Sequence, residues 1–385
     1  MAMTPPGSSF RRIAALVLYN IAAVLLLLLV LEGIASVLNS FHESFASKPL
    51  AERLHTAYDP DLGWVNLPNV YLPNMYGRGK YLRTNSQRFR NNEDFTLQVP
   101  LGKTRIICSG DSFTLGYGVD NDHTWPQQLA SRNPNIETVN MGQGGYGADQ
   151  AYLWYKRDAA LLDHNIQILA LISPDLYRMQ SKAFAGYGKP VLEVENDHLV
   201  TKNIPVPRPI ETWSPRLARA SDALANLNIT QFLRRTFKLD TDEAVTGTRK
   251  ERNEETSKVL TYMLDDLIAT NRAKNSVLVL AYLPTRVEYG GDLGASWRRF
   301  LADYAQQRGI PYFDLADDFH RLSPEDLDRF FIPQGALAYP GAAGHYTETG
   351  NAYVADLIYH RLLADPATAA KLHVRTAGGT SPAQH

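Results

Sequence analysis

Five short runs of strand-forming residues follow Pro100 and leave few folds open. They are Arg105–Ser109 (RIICS), Glu137–Met141 (ETVNM), Ile166–Ile172 (IQILALI), Ser276–Leu283 (SVLVLAYL) and Ile310–Asp314 (IPYFD). Near-continuous apolar runs of this length mark strands buried on both faces, as in a parallel sheet. Between and after them lie stretches with helical character: Trp125–Arg132, Ala148–Leu162, Asn253–Arg272, Ser296–Arg308 and Glu348–Leu363. Strand–helix alternation of this kind predicts an α/β class protein, an α/β/α sandwich on a parallel sheet built from these five strands.

Residues 178–250 interrupt the alternation. They include the proline-rich piece Ile204-Pro205-Val206-Pro207-Arg208-Pro209, and they are too many for an ordinary connection. The expectation is an insertion that packs over or beside the sheet and shapes a pocket. Ahead of the first strand, residues 32–100 read as a juxtamembrane and lead-in segment punctuated by Asp59-Pro60, Leu67-Pro68-Asn69 and Leu72-Pro73-Asn74. The domain proper is expected over 101–364, and 365–385 as a flexible tail that loses all pattern from about His373.

The N-terminus carries the only cue to compartment, because a single cysteine, Cys108, makes neither an internal disulfide nor a CxxC site. Cys108 falls inside the first strand and reads as a small buried hydrophobe. From Ile13 to Leu31 the chain is uncharged, IAALVLYNIAAVLLLLLVL, and nearly long enough to cross a hydrocarbon core of about 30 Å. Arg11 and Arg12 precede it and Glu32 ends it. The positive-inside rule then leaves residues 1–12 in the cytoplasm, makes 13–31 a single transmembrane helix of the inner membrane, and exports the rest to a periplasmic or extracellular space. A cleaved signal peptide is the alternative, with small residues at Gly33, Ala35, Ser44 and Ala46, but its apolar core would be shorter. Nucleic acid is not an expected partner: 39 basic residues against 40 acidic ones leave a net charge of -1. Ten histidines without HxH or HExxH spacing give no expectation of a metal, and no cofactor motif is present. Oligomeric state is not legible.

The first strand runs directly into Ser109-Gly110-Asp111-Ser112-Phe113-Thr114-Leu115-Gly116. Open parallel sheets place their sites at the carboxyl ends of strands, so Ser112 stands where a nucleophile would, with backbone N–H groups of the following turn available to a developing oxyanion. Asp111 is expected to support that turn structurally rather than to react. Two further stretches bear on the same chemistry: Asn140-Met141-Gly142-Gln143-Gly144-Gly145-Tyr146-Gly147 after the second strand, and Gly344-His345-Tyr346-Thr347-Glu348-Thr349-Gly350-Asn351 before the last helix.

In these three blocks the chain resembles the SGNH, or GDSL, hydrolases. Asp61-Leu62-Gly63-Trp64 and Arg83-Thr84-Asn85-Ser86-Gln87-Arg88-Phe89-Arg90 also resemble the lead-in of membrane-anchored bacterial members. The resemblance implies the SGNH hydrolase fold with its five-stranded parallel sheet in the flavodoxin-like order 2-1-3-4-5, a catalytic Ser112 and His345, and an oxyanion hole from the N–H groups of Ser112 and Gly145. It further implies a serine-dependent esterase or O-acyltransferase acting on acylated carbohydrate, such as envelope or exported polysaccharide.

Two departures stand against it. Pro174, in Ser173-Pro174-Asp175-Leu176, takes the place of the oxyanion asparagine, and Ala342 takes that of the aspartate three residues before the catalytic histidine. Proline offers neither a side-chain donor nor an N–H. Ser173, Asn140 or Gln143 can substitute as donor. A backbone carbonyl, Glu348, Asp314 or Asp317 can orient His345. The other reading is a catalytically degenerate domain that binds glycan or scaffolds an export complex.

Overall fold

The computed structural model describes residues 15–24, 26, 27, 30, 33, 54–184, 187–207, 249–290 and 294–372. It divides into two units, Met1–Leu50 with Ile210–Thr246, and Ala51–Pro209 with Gly247–His385. In the first unit the described residues 15–24 are helical with exposed side chains. Asn20 turns its amide back onto the Leu16 carbonyl at 2.7 Å, which satisfies the one strongly polar side chain of the apolar run. Among the described residues no helix is long and apolar enough to cross a membrane. Much of 13–31, residues 208–248 of the insertion, and the tail from His373 lie outside the described residues.

The second unit opens with two antiparallel hairpins, β1 (Thr56–Asp59) with β2 (Gly63–Asn66), and β3 (Tyr71–Leu72) with β4 (Leu82–Arg83). These give the lead-in segment more regular structure than its proline and asparagine content suggests. The first strand of the parallel sheet, β5 (Thr104–Gly110), follows, then α1 (Ser112–Leu115), α2 (Trp125–Ser131), β6 (Ile136–Gly142), α3 (Ala148–Arg157), β7 (Ile166–Leu171) and α4 (Ser173–Arg178). The described part of the insertion forms two more hairpins, β8 (Ala183–Phe184) with β9 (Tyr187–Gly188), and β10 (Val191–Glu195) with β11 (His198–Lys202). The alternation resumes with α5 (Arg249–Ala273), β12 (Val277–Tyr282), α6 (Ala295–Arg308), β13 (Tyr312–Asp314), α7 (Ala316–His320), α8 (Pro324–Phe330), α9 (Glu348–Ala364) and α10 (Pro366–Ala369).

The sheet order is β13-β12-β7-β5-β6 with every pairing parallel, which is 2-1-3-4-5 in chain order: the apolar runs predict the parallel strands, and the order is the flavodoxin-like one expected from the resemblance. Strand periodicity splits the apolar residues between two cores. Ile107, Val139, Leu169, Leu171, Leu278 and Leu280 face one side, against α3, α5 and α6. Ile106, Cys108, Ile166, Ile168, Val279 and Ala281 face the other, against α2 and α9. All of these strand residues are buried on both faces, so the sheet is the middle layer of three. Burial pushes the Cys108 thiol up, in keeping with an inert hydrophobe.

Two of the boundaries that differ from the sequence reading have a plain local cause. The helix expected to Leu162 stops at Arg157, where the Asp158 carboxylate takes bonds from Trp154 Nε1 and Arg157, and a tight turn at Ala159–Leu161 redirects the chain into β7. The last strand begins at Tyr312 rather than Ile310. Pro311 has no N–H for the ladder and lends only its carbonyl, to the Leu280 N–H at 3.0 Å.

Candidate active site

The site forms where β5 ends. Asp111 is the N-cap of α1: its backbone is extended (φ -96°) and its Oδ1 accepts the Phe113 N–H at 2.8 Å. A carboxylate cap on a one-turn helix holds that turn and leaves the Ser112 hydroxyl at the strand's carboxyl end. Gly142 permits the close approach that builds the neighbouring wall, because a Cβ there would lie 1.9 Å from the Leu115 nitrogen. Gln143–Tyr146 is a tight turn closed by the Tyr146 N–H to the Gln143 carbonyl at 3.3 Å. Gly145 occupies its third position with φ +75°, a left-handed conformation that a side chain resists. Trp64 Nε1 bonds the Gly144 carbonyl at 2.9 Å, and Tyr146 Oη returns a bond to the Trp64 carbonyl, so β2 clamps this turn.

His345 comes from far along the chain, and main-chain bonds place it. The Ile332 N–H donates to its carbonyl, the Gly344 N–H donates to the Ile332 carbonyl, both at 2.8 Å, and Phe331 bridges Tyr346. Its ring lies beside Phe113 (centroids 4.5 Å apart) and Tyr117 (5.1 Å). His345 Nε2 and Ser112 Oγ are 2.7 Å apart, a full hydrogen bond across 233 residues of sequence. The structure therefore brings Ser112, Asp111 and His345 together. Among the described residues the N–H groups of Ser112 and Gly145 donate to no other group.

On the far side of the imidazole, His345 Nδ1 is buried and makes no hydrogen bond of full geometry among the described residues; the main chain of Ala342 and Ala343 stands close enough to act on the ring as a weak hydrogen-bond acceptor that favours its charged form, the backbone orientation the sequence left open. No carboxylate stands in for the missing aspartate. Glu348 pairs with Lys80 at 2.8 Å, while Asp314 and Asp317 both pair with Arg298. Two of the three substitute oxyanion donors are also spent. Ser173 Oγ bonds Tyr282 Oη and Glu288, and Asn140 faces Leu115, Thr124 and the Gly142 N–H. Gln143 remains: it is buried beside the serine turn, its N–H on the Gly110 carbonyl and its Oε1 unbonded.

Arg178 carries weight that the sequence alone does not reveal. Its Nη1 donates to Asp175 Oδ1 at 2.8 Å, to the Tyr146 carbonyl at 3.0 Å and to Asp111 Oδ2 at 3.3 Å, and its guanidinium covers the Phe184 ring. The insertion is anchored at the same place. Lys189 Nζ, fully buried, pairs with Asp149 at 2.7 Å and donates to the Arg178 carbonyl. The Asp175-x-x-Arg178 spacing on one helix face was the available signal. Without the sheet order, nothing tied it to Ser112.

Burial pulls the His345 imidazole below the ordinary histidine value of 6.5, and the Asp111 charge opposes that. A lowered pKa leaves the ring neutral, the form a base requires, so the acid limb of an activity profile falls below pH 6.5. Asp111→Asn keeps an acceptor for the Phe113 N–H and removes the charge that lies 3.4 Å from Ser112 Oγ. The limb should then move further to the acid side. Turnover should fall about tenfold, because forming imidazolium becomes harder. A pH series of kcat/KM on an acetate ester checks both.

No protein-family model matches the chain, and no curated protein does. Several solved structures are similar to it. One is a member of the lipolytic protein G-D-S-L family from Veillonella parvula, 13% identical over 68% of this chain and 97% of that one, with a TM-score of 0.35. A second is the acetyl xylan esterase AlAXEase, 13% identical over 66% and 98%, TM-score 0.39. A third is a catalytic mutant of the acetylxylan esterase Axe2 from Geobacillus stearothermophilus, 11% identical over 67% and 93%, TM-score 0.37.

Proposed function

We propose that the chain is a serine-dependent esterase or O-acyltransferase that works through a Ser112–His345 dyad. The observation that carries this reading is the 2.7 Å contact between Nε2 and Oγ at the carboxyl end of β5, beside two uncommitted N–H groups. His345 Nε2 takes the Ser112 proton as Oγ attacks the ester carbonyl. The N–H groups of Ser112 and Gly145 receive the oxyanion. Collapse breaks the ester C–O bond, and His345 returns the proton to the departing alcohol. Water or an acceptor hydroxyl then attacks the acyl-serine by the same route and frees Ser112. The motif resemblance and the outward topology support a small acyl group, such as acetyl, on envelope or exported polysaccharide.

The charge pattern around 13–31 supports a single membrane anchor with the active site outside the cytoplasm. A periplasm-dependent reporter fused after Lys48 should be active, and a cytoplasm-dependent reporter at the same point should be silent; the reverse pattern overturns this topology. For the chemistry, a fluorophosphonate probe should label the protein at Ser112, and 4-nitrophenyl acetate should be turned over. A folded protein inert to both is the degenerate binding domain, the reading that Pro174 and an Nδ1 without a carboxylate favour.

A further inference from the structure

A second concavity lies in the lead-in segment. It is an open cleft of about 870 Å³ between the β3–β4 hairpin and the loop at Asn92–Asp94. Its size is that of a ligand pocket, yet it has little apolar lining, which argues against an acyl chain or a lipid. Tyr71 is 61% exposed and stands beside Tyr81, their ring centroids 5.9 Å apart. Tyr81 is held by Asp122 and Asn92; burial, with the Asp122 and Asp120 carboxylates, raises its phenol to about 12 against the opposing Asn92 bond, so it stays neutral. Asn69, Arg83 and Glu93 are exposed around the cleft, and among the described residues their side chains bond no other side chain.

These groups suit one ligand class. An exposed tyrosine face accepts the C–H side of a pyranose, and planar amide, guanidinium and carboxylate groups each pair with adjacent hydroxyls in the plane of the sugar. Arg83 set against the Glu93 and Asp94 carboxylates does not select an anion such as a phosphate. The cleft is also tied to the catalytic edge. Lys80, next to Tyr81, pairs with Glu348, three residues past His345. Tyr76 of the same hairpin packs on Tyr117, whose ring lies against His345.

We propose that this cleft is a carbohydrate-binding subsite that holds an uncharged polysaccharide strand and presents its ester to Ser112. The presentation rests on the esterase reading above; the binding does not. The test uses the full-length protein. With Ser112→Ala to prevent turnover, native gels containing acetylated xylan or acetylated glucomannan should retard it. Tyr71→Ala and Arg83→Ala should each weaken that binding about tenfold, and Tyr71→Phe, which keeps the ring, should restore most of it. With Ser112 intact, Tyr71→Ala should lower kcat/KM on acetylated xylan about tenfold relative to 4-nitrophenyl acetate, through KM. Retardation by neither polysaccharide, or equal retardation of parent and variants, overturns the subsite. Tyr71-dependent binding by a protein that never turns over 4-nitrophenyl acetate upholds the subsite and overturns the esterase reading.

Discussion

Replacing Ser112 by alanine should lower kcat/KM on 4-nitrophenyl acetate by about 10³-fold or more and abolish fluorophosphonate labelling. The Ser112 hydroxyl is the group His345 Nε2 bonds, and among the described residues no second side chain pairs with that nitrogen. The backbone of the serine turn does not depend on the hydroxyl: Asp111 still caps α1 through Phe113, and the Gln143–Tyr146 turn still closes. What persists in the variant therefore measures the N–H groups and binding alone. His345→Ala should cost a similar factor, and the double variant little more, since the two side chains act as one unit. A Ser112→Ala protein that keeps a tenth of the activity sinks the dyad.

Ala342→Asp should act in the opposite direction and raise kcat about tenfold to a hundredfold. The position is three residues before His345, whose buried Nδ1 meets only the main chain of Ala342 and Ala343 and, among the described residues, no carboxylate. A carboxylate on that nitrogen would hold the ring in the tautomer that leaves Nε2 free to accept, and would stabilise the imidazolium formed during attack. In optimised serine sites such a group is worth about 10⁴. The gain here is smaller because residue 342 is fully buried in an apolar cluster with Leu115, Tyr117, Ile332 and Tyr339, where a charge is poorly solvated. The pH profile supplies a separate reading. A new anion raises the histidine pKa, so the base is neutral only at higher pH and the acid limb moves up, the reverse of Asp111→Asn. A folded variant with unchanged turnover and an unmoved limb would mean that the lack of a carboxylate at Nδ1 does not limit the reaction.

The five strands were legible because burial on both faces writes itself into short local runs such as RIICS and IQILALI. The serine turn was equally legible, since a cap, a nucleophile and a glycine lie within seven residues. The insertion was visible as an interruption but not as the element that packs Phe184 and Lys189 around Arg178. Among the substitutes for the missing asparagine and aspartate, the residue types alone could not decide. Ser173, Asn140, Glu348, Asp314 and Asp317 all carry suitable atoms, and each proved to be engaged by a neighbour far away in sequence or by its own turn.

The division follows from the range of the forces involved. Strand periodicity, the cap at Asp111 and the φ of a glycine are settled by residues a few places apart, so the sequence by itself determined the strands of the sheet and the shape of the nucleophile's turn, whereas the order in which those strands pair is long-range. The bond between Ser112 and His345, the carboxylate-free far side of the imidazole, the bridging of Asp111 and Asp175 by Arg178, and the cleft between Tyr71 and Glu93 each join parts of the chain that only packing brings together. A hydrogen bond is decided by tenths of an ångström, and those are fixed only once both cores have closed around the sheet.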